Sequence, residues 1–371
     1  MTSASLPPVK VVVIDDSVVI RRVLTDLLSA DPEIEVVGTA ANGQLGLEKV
    51  RRTHPDLVIL DIEMPVMDGL TTLPHLRAEF PALPVIMFST LTTRAGSATL
   101  DALALGAADY LTKPESFGGR DQAFASIKAE MLPKVKVLGR ARRPSRPNAT
   151  LLPRPAAPVV KRRAAATARV EVVVIAVSTG GPKALQHVVP RLPANLPVPV
   201  LLVQHMPPVF TGLLAERLDR ESPVHVVEAA SGDALRPGTV YIAPGGRHMV
   251  IEKRAIGVTV RLNDDPPENS CRPAADPLFR SVAKAYGANA LAVVLTGMGS
   301  DGCKGAQHLV DAGAEVLAQD EATSVVWGMP GAVVHAGLVT AEFPLDRIAD
   351  AILTRVARQR ASAPTAAGVR R

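Results

Sequence analysis

With 371 residues, 47% of them hydrophobic, the chain has enough material for roughly two domains with separate cores. Its formal net charge of +5 hints at nucleic acid, but Lys134 to Arg169 holds eleven Lys or Arg and no acidic residue, so the basicity belongs to one connector, and aromatics at 3% supply few base-stacking platforms. No run approaches the ~18 apolar residues of a membrane span, and MTSASLPPVK lacks the charged and apolar regions of a signal peptide. A cytoplasmic protein is expected, with no membrane insertion and no nucleic-acid partner. Cys271 and Cys303 form neither a disulfide framework nor a zinc-type pair, so both are read as reduced thiols.

From residue 9 to about 120, strand and helix patterns alternate. Strands are predicted at Val9 to Ile14, Glu35 to Ala40, Leu57 to Leu60, Pro84 to Phe88 and Asp109 to Thr112. Helices are predicted at Val18 to Ser29, Gly43 to Arg52, Thr71 to Glu79, near Ala98 to Leu105, and Asp121 to Val135. This alternation describes a doubly wound five-stranded unit. Its strand ends gather Asp15 and Asp16, Asp61, Ser89 and Lys113. Three carboxylates repel one another unless a hard cation sits between them, and an all-oxygen set suits Mg²⁺. Asp61 can then attack a phosphoryl donor while Mg²⁺ and Lys113 neutralise charge.

The motifs VVVIDDS, LVILDIEMPVMDG, PVIMFST and GAADYLTKP, in this order and spacing, resemble response-regulator receiver domains from about Pro8 to Glu130. The resemblance implies a flavodoxin-like fold, with Asp61 as phosphoacceptor, Asp15 and Asp16 binding Mg²⁺ beside it, and a histidine kinase as phosphodonor. It further implies that Ser89 senses the phosphoryl group, that Tyr110 repositions with it, and that a cis peptide precedes Pro114.

GRARRPSRPNATLLPRPAAPVVKRRAAATA, from Gly139 to Ala168, is dominated by Pro, Ala and Arg without an apolar period and reads as a semi-extended linker. The expected organisation is therefore a receiver over 1–130, a basic linker over 131–168, a catalytic domain over 169–360 and a disordered tail over 361–371.

The second half is organised around VEVVVIAVSTGGPK. Val172 to Val177 is an unbroken β-branched run, as in a parallel strand buried on both faces. Gly180, Gly181 and Pro182 stop it and open a helix, leaving Ser178 at the junction. Val198 to Gln204 likewise delivers His205, and Leu291 to Thr296 leads to Asp301. In an open parallel sheet all carboxyl ends share one edge, so a hydroxyl nucleophile, its base and an orienting carboxylate would meet there. Backbone amides near Thr179 and Met298 are the candidate oxyanion donors. Singly, Ser178 could be a helix cap or phosphate-binding turn, His205 a loop histidine, and Asp301 an N-cap. His248, after a Pro-Gly-Gly turn, is a competing base, and His335 would serve in the α/β-hydrolase order. A phosphorylation-controlled binding module is a further alternative. Around these residues lie predicted helices at Phe210 to Leu218, Pro277 to Tyr286, Lys304 to Ala312 and near Pro330 to Ala336. Strands are predicted at Val224 to Glu228 and Glu315 to Gln319, and a hairpin pairs Met249 to Glu252 with Val258 to Leu262. The fold class expected of this half is a doubly wound, mostly parallel α/β domain.

VSTGGP, VQHMPPVFT, YIAPGGRHM, SCRPAADPLF and LTGMGSDGCKG resemble the catalytic domain of chemotaxis protein-glutamate methylesterases over nearly the whole second half; Ala176 departs from the glycine common there. The resemblance implies hydrolysis of glutamate methyl esters on chemoreceptors, releasing methanol, together with deamidation of receptor glutamines. The ester reaction would need no cofactor, and the protein is expected to be a monomer. It also implies that the unphosphorylated receiver obstructs Ser178 until Asp61 is phosphorylated.

Overall fold

The computed structural model describes residues 7–113, 120–141, 168–255 and 257–357. The chain forms two compact units. In the first, strands β1 (Val9–Ile14), β2 (Ile34–Ala40), β3 (Leu57–Asp61), β4 (Val85–Ser89) and β5 (Asp109–Thr112) alternate with helices α1 (Val18–Ser29), α2 (Gly43–Thr53), α3 (Gly69–Glu79), α4 (Thr93–Ala104) and α5 (Arg120–Ala141). The sheet order is β2-β1-β3-β4-β5, all parallel, so the order reverses between β1 and β3. That crevice is where such sheets bind ligands.

Capping explains two early helix starts. Asp68 accepts from the Thr71 amide at 2.7 Å, fixing the start of α3 at Gly69, and Thr92 accepts from the Ala95 amide at 3.1 Å, starting α4 five residues ahead of expectation. α5 corrects the expected domain boundary at 130. It continues to Ala141 because Met131, Val135 and Leu138 repeat along one face and are buried. The rest of the expected linker, the cis peptide before Pro114 and the expected tail lie outside the described residues.

The second unit comprises β6 (Val172–Val177), α6 (Gly181–Val188), β7 (Val200–Gln204), α7 (Phe210–Glu221), β8 (His225–Glu228), β9 (Thr239–Ile242), β10 (His248–Arg254) and β11 (Gly257–Asn263). α8 (Ala275–Tyr286), β12 (Ala290–Val294), α9 (Cys303–Asp311), β13 (Glu315–Gln319), α10 (Gly328–His335), β14 (Ala341–Phe343) and α11 (Leu345–Ala357) complete it. Seven strands form one sheet in the order β14-β13-β12-β6-β7-β9-β8, every pair parallel. β10 and β11 pair antiparallel as a separate hairpin, as expected, with Met249 opposite Leu262 and Ile251 opposite Val260. All six residues of β6 are buried, as expected for a central strand covered on both faces. The chain builds outward from β6 through β7 and returns on its other side with β12, so the strand order reverses at β6/β12, the edge that carries Ser178 and Asp301. Helix α11 has no counterpart in the sequence reading, although Ile348, Ile352 and Val356 recur at helical spacing and are buried. Among the described residues no helix is long and apolar enough to cross a membrane.

Candidate active site

Local sterics set the turn after β6. Gly180 has φ +76°, and a Cβ there would lie 2.6 Å from a Val325 methyl; a Cβ on Gly181 would overlap the Gln204 side chain. Pro182 then occupies the first turn of α6. The buried Gln204 amide donates to the Ser178 carbonyl at 3.1 Å and to the His205 carbonyl at 3.3 Å, tying the ends of β6 and β7 together. The Ser178 amide donates to Thr296 O at 3.0 Å, joining it to the segment after β12. Close approach there requires Gly297, since a Cβ on it would sit 2.9 Å from Ser178 Cβ. The backbone of Met298 therefore follows a residue packed on the serine, and the buried Thr179 is tied to the same segment, its carbonyl accepting from the Thr296 hydroxyl at 2.9 Å.

His205 and Asp301 meet directly: imidazole Nε2 lies 2.8 Å from Asp301 Oδ2. All four acceptor positions of this carboxylate are filled. Oδ2 also accepts from the Ala275 amide at 2.6 Å, and Oδ1 accepts from the Asp276 amide at 3.2 Å and Asn269 Nδ2 at 2.8 Å. Two of these donors are the first amides of α8, which favour negative charge. Burial alone would raise Asp301, but His205 and the two amides outweigh it and hold the carboxyl below its ordinary range. For His205, burial would lower the pKa, but the Asp301 carboxylate and Cys271 outweigh it and push it up to about 9.

The second ring nitrogen, Nδ1, lies 3.5 Å from Cys271 Sγ. Among the described residues, Ser178 Oγ forms no hydrogen bond with the imidazole; the serine is half-buried at the rim. Such bonds commonly tighten only when substrate is present. Cys271 and Cys303 are both free thiols.

His248 does not compete as a base. It is 1% exposed, its Nε2 is 3.1 Å from Pro266 O, and its Nδ1 accepts the Ala274 amide at 3.2 Å. Both nitrogens are thus spent holding the loop that precedes α8. His335 closes the last turn of α10, against the Trp327 ring at 5.4 Å, at the opposite end of that helix from the rim segment Gly297. Asn269, Cys271 and Asp276 belong to the site but were given no role from the sequence. Asn269 and Cys271 reach it from the loop before α8, where Asn269 and Ser270 have positive φ, and Asp276 reaches it from the first turn of α8.

In the first unit, Asp15, Asp16 and Asp61 bring carboxylate oxygens within 4.8 Å of one another. Lys113 Nζ lies 2.8 Å from both Asp15 Oδ2 and Asp61 Oδ2. Burial raises Asp61, Lys113 opposes and Asp15 adds to the rise, leaving it at about 6. Three hard oxygen donors against one ammonium fit a divalent cation such as Mg²⁺. Ser89 is buried, its hydroxyl donating to Thr90 O at 3.3 Å and Ala95 O at 3.4 Å. Tyr110 is packed inward beneath Lys134, whose Nζ is 5.5 Å from the ring centre.

Comparison with known proteins agrees with both units. Residues 11–120 match the response regulator receiver domain, and residues 173–352 match the family described as CheB methylesterase. A protein-glutamate methylesterase/protein-glutamine glutaminase of Nocardioides is 51% identical over 366 residues, covering 96% of this chain and 98% of its own length. A protein of the same name from Trichodesmium erythraeum is 45% identical over 354 residues, covering 95% of this chain and all of its own length. With the two matched regions in the same order and half the residues shared from end to end, the chain belongs to the protein-glutamate methylesterase/protein-glutamine glutaminase family, a family of hydrolases that join a receiver to a CheB methylesterase domain.

Proposed function

We propose that this chain demethylates glutamate methyl esters on chemoreceptors, and deamidates receptor glutamines, with Ser178, His205 and Asp301 as its catalytic triad. The observation that carries the triad is the His205–Asp301 contact of 2.8 Å on the sheet edge that also bears Ser178. Because Asp301 takes Nε2–H, the lone pair is left on Nδ1, the nitrogen that faces Cys271 Sγ at 3.5 Å and that would accept the serine proton. Ser178 Oγ attacks the γ-carbonyl and passes its proton to His205 Nδ1. The carbonyl oxygen becomes an oxyanion facing the amides of Thr179 and Met298. Collapse breaks the acyl–oxygen bond, and Nδ1 returns its proton to the leaving methoxide, giving methanol and an acyl-serine. Water, deprotonated by the same nitrogen, cleaves the acyl-serine to glutamate and restores Ser178. With a glutamine the leaving group is ammonia.

In the receiver, Asp15, Asp16 and Asp61 would hold Mg²⁺, which supplies charge neutralisation when bound. The Asp61 carboxylate is the phosphoacceptor from a histidine kinase, and Lys113 pairs with the developing charge. Ser89 and Tyr110 are assigned to the phosphorylation switch, and phosphorylation raises esterase activity. We assign the protein to the cytoplasm, as a monomer. Methanol release from methylated receptor membranes tests the reading: the full chain should release it and Ser178→Ala should not, whereas release by that variant refutes the triad.

A further inference from the structure

A second buried carboxylate stands beside the first. Asp276 is 1% exposed and Asp301 2%, and a single amide, Asn269 Nδ2, donates to both: 2.9 Å to Asp276 Oδ2 and 2.8 Å to Asp301 Oδ1. Asp276 Oδ1 is satisfied separately by the Gly305 amide at 2.6 Å. Asn269 itself is solvent-exposed, so its amide covers the two acids from the water side. It lies in a tight turn closed by paired bonds between Glu268 and Cys271, at 3.1 and 2.8 Å, with positive φ at both central residues. Glu268 is in turn held by Arg280 on α8. Turn and helix are thus tied together, and the Asn269 side chain is aimed at the gap between the acids.

We propose that Asn269 is a positioning residue for the ester reaction, acting through Asp301 to keep His205 in its working state; this rests on the triad reading above. Two buried carboxylates in one site ordinarily share a proton, because both cannot stay ionised at short range. A neutral amide offering one N–H to each removes the need for that proton. Asp301 then stays ionised, holds Nε2–H of His205, and leaves Nδ1 free for the serine proton. Without the amide, a proton enters the Asp276/Asp301 pair, and the imidazole loses its partner for as long as that proton remains.

The test uses the full chain and methanol release from methylated receptor membranes across pH. Asn269→Gly deletes the amide at a position where positive φ suits glycine, so the turn is kept. The expected result is a fall in kcat of about tenfold or more near neutral pH, with KM little changed and a deficit relative to the parent that shrinks as rising pH removes the shared proton. Adding Asp276→Asn in the same background removes the rival charge and puts an N–H beside Asp301, so it should recover part of the loss. Melting curves check that the variants fold. Asn269→Asp is the second single variant: it should approach the parent at acid pH, where its carboxyl can donate, and lose ground as pH rises. An Asn269→Gly protein within about twofold of the parent at every pH overturns the proposal. So does a loss that neither pH nor the second substitution relieves, which would mark a merely structural role. Ser178→Ala run alongside separates the two readings, since activity in that variant refutes the triad itself, whatever Asn269 does.

Discussion

Asp301 holds His205 by Nε2, at 2.8 Å, so in the proposed triad the nitrogen left to accept the serine proton is Nδ1. Asp301→Asn would present an amide that can stabilise the wrong tautomer, with the proton on Nδ1. The expected loss in kcat is roughly ten-thousand-fold, with KM and folding nearly unchanged. Single-turnover methanol release checks it, and near-parental turnover would require another carboxylate to orient the ring.

Ser178→Ala removes the covalent step from a turn whose shape is set by Gly180, Gly181 and Pro182 rather than by the hydroxyl. Activity should fall by about a thousandfold or more. Phosphorylation of Asp61 from a small phosphodonor should proceed as in the parent, which shows that the loss is chemical and not a failure to fold.

The pH dependence follows from His205, whose pKa is pushed up to about 9. The base works only when neutral, so kcat/KM should climb as pH rises from near neutrality and level off above about 9. Stability has the opposite sign. The folded pKa exceeds the unfolded value of about 6.5, so this contribution is complete below that value and is lost as pH rises through about 9. A flat rate profile over that range would contradict the ion pair as the controlling contact.

Cys271 Sγ sits 3.5 Å from the working nitrogen and helps to raise the imidazole. Cys271→Ala should therefore move the rising limb to lower pH and increase activity near neutrality by a few-fold. The same pH series reads this out; an unmoved limb would show that the sulfur has no hold on Nδ1.

Asp61 titrates at about 6, so protons and a cation compete for it in the mildly acidic range. Mg²⁺ should raise the melting temperature of the receiver more at about pH 7 than at about pH 5, by mass action on the folded state. Differential scanning calorimetry with and without chelator measures the difference, and equal shifts at both pH values would contradict it.

If the unphosphorylated receiver obstructs the serine, a chain starting near Ala164 should be faster than the unphosphorylated full-length protein, and Asp61→Asn should stay at the basal rate whatever the phosphodonor. Activation of tenfold to a hundredfold corresponds to only ~1.4 to 2.8 kcal/mol. A truncated chain no faster than the intact one would mean that the receiver acts by docking or by positive activation.

Much of this was legible because apolar β-branched runs stop abruptly at polar residues. Val172 to Val177 ends at Ser178, Val200 to Gln204 at His205, and Leu57 to Leu60 at Asp61, and a parallel sheet sends all such ends to one edge. Strand register does not reveal what side chains from loops do. Asn269 and Cys271 reach the site from a turn with left-handed backbone, and nothing in their spacing from His205 or Asp301 announces it. His248 stood as a competing base for the converse reason. A Pro-Gly-Gly turn marks a bend, but only the bonds to Pro266 and Ala274 show that both ring nitrogens are committed to the loop. Helix α11 is legible in the recurrence of Ile348, Ile352 and Val356 at helical spacing.

The two amides of Ala275 and Asp276 that end on Asp301 also give the reaction a built-in reporter. Each N–H points at one oxygen of the carboxylate, so its proton resonance will track the charge on that oxygen. When the imidazole takes the serine proton, the change should be visible in the backbone spectrum of the first turn of α8. Labelling those two peptide groups would let the charge state of the catalytic acid be followed by NMR without altering any residue of the site.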